Sequence, residues 1–247
     1  MTERPAFPPL FRPFAVTPEL DPFERCLTIA TEGVEAGTLL WSIGQEVCEG
    51  AVVLAPEQAL EPSLPVVLVA MLGLGDALGS LLPPVVPVTF GWPDRLEVNG
   101  GVVGGVRMAI AKADPPDAIP DWLVIGFKVA VRGRWGEADG PPALLDRTTL
   151  EEEGGGEIMT IDLLEAFGRH FLSWINRWQE DGVAPVQQAW LSRATGLGKP
   201  IEIEVGGHKR EGTFAGITET GALRLLRNGI VQTVSLEEAL RAPSWTV

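Results

Sequence analysis

The chain has 247 residues, 45% of them hydrophobic, with 19 basic side chains against 33 acidic ones and a formal charge of -14. That length can bury a substantial core in one large domain or two unequal ones. The acidic balance argues against nucleic acid and anionic membranes as partners, although a local pocket can still oppose the overall field for a small anion.

The N-terminal residues contain no basic region followed by an apolar run, which predicts a cytoplasmic protein rather than a secreted one. Prolines and the aromatics Phe7, Phe11 and Phe14 predict an irregular lead-in, followed by a helix from about Pro22 to Glu32. Thr38–Ser42 and Ala51–Ala55 read as short apolar strands. The run Leu64–Leu82 contains Gly73, Gly75, Asp76 and Gly79 and stops at Pro83-Pro84, so it reads as a buried helix rather than a membrane span. Val85–Phe90 is β-branched and suited to a central strand. Asn99-Gly100 is a hairpin turn signal between it and a return strand, Val102–Ala109. Trp122–Val131 supplies another strand. Pro115-Pro116 and the charged, glycine-rich Glu151–Gly156 read as loops. Leu163, Leu164, Phe167, Phe171, Trp174, Ile175 and Trp178 then recur at helical spacing and end at Gly182. A further helix carries Pro185 in its first turn and Trp190. Beyond Leu197, Ile201–Val205, His208–Ala215, Ala222–Leu226 and Ile230–Val234 read as strands joined by tight turns. They predict a small barrel.

Gly91-Trp92-Pro93-Asp94-Arg95 followed by Asn99-Gly100 and Val102–Val106 resembles the central hairpin of the biotin–protein ligases. Their usual pattern is Lys-Trp-Pro-Asn-Asp, a turn, then Lys, a hydrophobic residue and Ala-Gly-Ile. Gly216-Ile217-Thr218-Glu219-Thr220-Gly221-Ala222-Leu223 is similar to the family's terminal SH3-like barrel. The resemblance extends from about Phe23 to the C-terminus and implies an α+β fold. Its mixed-sheet biotin/lipoate ligase-like core would occupy residues 1–196, with a small C-terminal SH3-like β-barrel over residues 197–247.

Active relatives activate a carboxylate with ATP and transfer it to a lysine of a carrier protein. That chemistry needs cations between carboxylate and triphosphate, donors on the adenylate phosphate and exclusion of water. Here Ser42–Gly50 stands where the family has a Gly-Arg-rich loop. Gly44 and Gln45 echo its start, but no arginine follows. Gly91 replaces the hairpin's first lysine and Val102 its second. Asp94 and Arg95 replace asparagine and aspartate. Val124–Ala130 keeps only the first glycine of Ile-Gly-x-Gly-Ile-Asn, as Gly126, with Lys128 at the second. The resemblance implies ligand contacts at Trp92, Pro93, Gly105 and Gly126; the altered positions Asp94, Arg95 and Lys128 and the neighbouring Arg107 are further ligand candidates, with Arg132 and Arg134 as further cations and the catalytic residues unassigned.

Cys26 and Cys48 have no redox or metal spacing and read as buried thiols. His170 and His208 lie far apart, so no metal site is expected. The reading is a divergent ligase-like protein without standard biotin ligation, retaining a small carboxylic acid or a carrier protein as binding partner. The alternative is an active ligase or acyltransferase using ATP and biotin, lipoate or another carboxylic acid. The oligomeric state is not readable from the sequence.

Overall fold

A computed structural model describes residues 4–44, 46–115, 117–133 and 147–245. Gln45 and Arg134, singled out above, lie outside the described residues. Seven strands form one mixed sheet: β1 (Arg12–Ala15), β2 (Thr38–Ile43), β3 (Val47–Leu54), β4 (Val88–Gly91), β5 (Arg95–Val98), β6 (Gly101–Ile110) and β7 (Leu123–Ala130). Their order is β1-β2-β3-β7-β6-β5-β4. β1 and β2 run parallel, and every other neighbouring pair is antiparallel.

The strand expected to be central, β4, lies at the sheet edge. Its lead-in carries a highly exposed Val85 and Pro87. The free edge is capped by irregular backbone: Phe90 N–H donates to Arg193 O and Thr195 N–H to Phe90 O, at 3.0 and 2.8 Å. This covering blunts an edge that would otherwise pair with other chains. Asn99 and Gly100 turn the β5–β6 hairpin with φ of 51° and 86°, the left-handed geometry both residue types tolerate.

One face of the sheet packs against helices α3 (Val66–Leu81), preceded by the single turn α2 (Leu60–Ser63), and α4 (Thr160–Asp181). A Cβ on Gly73 of α3 would sit 2.9 Å from Phe171 Cα of α4, so glycine permits the two helices to approach closely. Phe167 lies between Phe127 of β7 and Phe171, with centroids at 4.4 and 5.2 Å. Asp76, the acid in an otherwise apolar helix, accepts from Trp174 Nε1 at 2.7 Å and pairs with Arg193 at 2.6 Å. The opposite face carries α1 (Pro22–Thr31), whose Phe23, Cys26 and Ala30 cover Leu40, Ala51, Val53 and Val124. Burial raises both thiol pKa values, that of Cys26 to about 12.

The Glu151–Gly156 stretch is no open loop. It makes a helical turn in which Glu153 accepts from Thr148 Oγ1 and Asn99 Nδ2, both at 2.7 Å, tying it to the β5–β6 hairpin.

After α5 (Val183–Leu191), strands β8 (Pro200–Val205), β9 (His208–Ile217), β10 (Leu223–Arg227) and β11 (Ile230–Val234) form a second sheet of order β11-β10-β9-β8. The expected SH3-like barrel is not formed. Among the described residues β8 and β11 are unpaired edges, and the sheet stays open. The chain that would have to supply a closing strand instead makes the short helix α6 (Leu236–Ala239). The sheet's inner residues Phe214, Leu223 and Leu225 bury themselves against the same apolar core as α3 and α4 rather than against one another across a closed barrel.

Candidate functional site

The strand register assembles a polar row that alternation alone did not reveal. Ser42 pairs with Glu49, Glu49 with Lys128, Lys128 with Gly105 and Gly105 with Arg95, crossing β2, β3, β7, β6 and β5 in one line. This row lies on the α1 face, because side chains two apart on a strand share a face. Lys128 Nζ is 3.3 Å from Glu49 Oε1, and both groups are largely buried. Arg95 Nη2 is 3.5 Å from Glu97 Oε1, leaving Arg95 Nε without a hydrogen-bond partner. Glu97 is itself buried and accepts from Thr195 Oγ1 at 2.6 Å.

One step along the sheet, Arg107 pairs with Gly126. The Arg107 guanidinium donates to both oxygens of Asp21 at 2.7 Å and lies 4.5 Å from the centre of the Phe23 ring. Burial pushes the Asp21 carboxyl up, but its hydrogen bonds and ion pair with Arg107 outweigh that and hold it below the usual range. Asp21 also caps α1, accepting from Phe23 N–H at 2.8 Å. The cap therefore sets the helix so that the Phe23 ring closes over Gly126, where a Cβ would stand 2.5 Å from Phe23 Cδ2.

The turn between β4 and β5 is equally occupied. Trp92 Nε1 donates to Gly221 O at 2.9 Å, docking the hairpin on the β9–β10 turn, and Pro93 beside it is buried. Asp94 is 1% exposed and accepts from the Ser244 amide at 3.2 Å and from the Ser244 hydroxyl. Burial raises its pKa to about 6 despite those bonds and the nearby Arg95. The next tail residue, Trp245, donates from Nε1 to Val106 O at 3.3 Å and lies directly over Gly105, leaving no room for a Cβ there. Outside this plug a cleft of about 630 Å³ opens between the hairpin and the second sheet, its charged lining made of Arg95, Arg147 and Arg241 with Glu202 and Glu238.

The structure thus brings Arg95, Gly105 and Lys128 into one row and places Arg107 with Gly126 beside it. Trp92, Pro93 and Asp94 sit at the turn, engaged with the C-terminal sheet and tail. Val102, at the position of the family's second lysine, is buried, and its carbonyl accepts from Thr148 N–H at 3.1 Å. The Ser42–Gly50 connection is shorter than expected because β3 already begins at Val47. Glu46 O accepts from Val131 and Arg132 N–H at 2.7 and 3.0 Å, pinning it to the end of β7. Arg132 is exposed and stands apart from the row. Among the described residues no three metal-ligating side chains come together.

Asp21, Phe23, Glu49, Ser244 and Trp245 were missed as site residues. The Asp-Pro-Phe capping pattern at the start of α1 was a usable local signal. The tail contacts cross 139 and 150 residues of sequence and had none.

Comparison with known proteins gives the same fold. The model of the biotin/lipoate A/B protein ligase family matches residues 7–192. A biotin–[acetyl-CoA-carboxylase] ligase of Paracoccus denitrificans is 29% identical over 176 residues, 71% of this chain and 72% of that one. A biotin protein ligase-like protein of unknown function from Silicibacter sp. tm1040 superposes with a TM-score of 0.86 at 34% identity, covering 97% of this chain and all of the other. The biotin protein ligase of Aquifex aeolicus shares the fold at 21% identity and a TM-score of 0.73, over 91% of this chain and 95% of that one. With the family model matched over most of its length, and with the Trp92-Pro93 turn set against a glycine-bearing strand pair, this chain belongs to the biotin/lipoate A/B protein ligase family.

Proposed function

We propose that this protein is a divergent member of its family that does not carry out standard ATP-dependent biotin ligation and that serves as a binding protein for a small carboxylic acid or a carrier protein. The observation that carries the absence of standard ligation is the covering of both ligand-face glycines by the chain's own aromatics, Phe23 over Gly126 and Trp245 over Gly105. Forming an acyl-adenylate brings a carboxylate oxygen onto the α-phosphate, and the repulsion must be met by cations preorganised around both groups. Arg107 and Lys128 are already committed to Asp21 and Glu49, and Val102 supplies no charge. An acyl-adenylate does not fit these residues as they stand.

The reading of an active ligase or acyltransferase is favoured by one feature, the open cleft in which Arg95 and Arg241 stand beside the hairpin. Calorimetric titration with biotin and with a non-hydrolysable biotinyl-adenylate analogue separates the two. The wild-type protein is expected to give no heat with either ligand, and the Phe23→Ala/Trp245→Ala variant a weak signal with biotin. Submicromolar binding of the analogue by the wild type would overturn the proposal.

A further inference from the structure

A second cavity, of about 570 Å³, lies away from the polar row, where the ends of β3 and β7 meet the N-terminal end of α3 and the C-terminal end of α4. Leu54 and Leu123, a register pair of β3 and β7, form part of its wall. Leu123 is five residues along β7 from Lys128, about 17 Å at the rise of a strand. The volume is in the range of small-molecule sites, which are mostly apolar with a few placed polar groups. Val66 and Ile175 supply apolar wall, Trp178 an aromatic face, and Glu57 and Glu219 the charges. Among the described residues no lysine or arginine lines it.

The charged side chains that line the cavity among the described residues, Glu57 and Glu219, are both acidic. The last turn of α4 ends beside Trp178 and Gly182 with no basic side chain, while Glu180 and Asp181 add negative charge to the carbonyl end of the helix dipole. The nearby Arg177 is engaged with Asp181 at 3.8 Å and lies over Trp174. At the amide end of α3, Val67 N–H donates to Leu64 O and Val69 N–H to Pro65 O. Two carboxylates, a helix carbonyl end and an indole face favour a cation, and the rest of the wall favours hydrocarbon.

We propose that this cavity binds a small apolar amine in its protonated form, the ammonium held between Glu57, Glu219 and the face of Trp178 and the apolar body packed on Leu54, Val66 and Ile175. This site is separate from the ligand face of the family fold, so it stands whether or not the protein adenylates an acid.

The test uses the full chain and three probes of nearly equal size: 2-phenylethylammonium, 2-phenylethanol and 3-phenylpropanoate. Calorimetry measures affinity, and the Trp178 indole N–H resonance, assigned with Trp178→Phe, reports location. The expected order is ammonium, then alcohol, with no binding of the carboxylate. The exposed pair Glu57→Gln/Glu219→Gln is expected to weaken the ammonium about tenfold. Carboxylate binding as tight as that of the ammonium overturns the proposal. So does failure of the ammonium to move the Trp178 resonance, or unchanged ammonium affinity in a folded Val183→Trp variant that fills the cavity.

Discussion

The two faces of the seven-stranded sheet are built by opposite rules. The face under α3 and α4 is apolar, with Phe127, Phe167 and Phe171 in continuous ring contact. The face under α1 is crossed by Glu49, Lys128 and Arg95, with Arg107 one step away, each facing a partner of opposite charge in this chain. In a catalytic relative the second face must leave cations and glycine backbone open to a ligand. Here the glycines remain but are roofed by Phe23 and Trp245. The scaffold face has kept what folding requires, and the other has turned ligand chemistry inward.

The largest expected effect is on the scaffold face. Phe167→Ala removes the middle ring of the stack and is expected to cost about 3–5 kcal/mol in urea denaturation. A cost below about 1 kcal/mol would remove the contrast between the faces.

Asp94→Asn acts in the opposite direction. A carboxyl whose folded pKa lies near 6, above its unfolded value of 3.8, binds its proton more tightly in the native state. Its contribution to stability is present below the unfolded value and lost as pH rises through about 6. At pH 8 the ionised group opposes folding by roughly 3 kcal/mol, since a tenfold difference in proton affinity between the native and unfolded chain corresponds to about 1.4 kcal/mol. The asparagine variant, which carries the residue usual in the family pattern, is expected to melt higher than wild type at pH 8 and equally at about pH 3, below the unfolded value. A lower melting temperature at pH 8 would show that the ionised carboxylate is stabilised by Ser244 and Arg95 beyond its burial cost.

Phe23→Ala is expected to cost about 2 kcal/mol, because the ring belongs to the smaller apolar cluster between α1 and the sheet rather than to the large core under α3 and α4. A loss as large as that of Phe167→Ala would put the two faces on the same energetic footing. The smallest effect is the coupling between Glu49 and Lys128. A double-mutant cycle with Glu49→Gln and Lys128→Met is expected to return about 1 kcal/mol for this cross-strand pair. Zero coupling would leave Lys128 free to act on a ligand.

The scaffold face was the legible one. Phe167, Phe171 and Trp174 fall at helical spacing, Asn99-Gly100 names its own turn, and Trp92-Pro93 carries a recognisable motif. These are local signals, set by side-chain periodicity and backbone preference. The other face depends on register and on contacts between distant segments. Glu49 and Lys128 become neighbours only once β3 pairs with β7, and Ser244 reaches Asp94 only once the C-terminal sheet has docked. The open second sheet depends on distant contacts in the same way. Four strands and tight turns were readable, but whether the first and last strand meet is decided by curvature and by the core beneath them.

The most direct test of the central claim is ATP–pyrophosphate exchange with the purified full-length chain, supplying biotin, lipoate and octanoate separately beside an active ligase control. The account predicts no exchange above the no-acid background for any of the three. Acid-dependent exchange by the wild-type protein would contradict it, showing that Phe23 and Trp245 move aside and that an adenylate forms on this face.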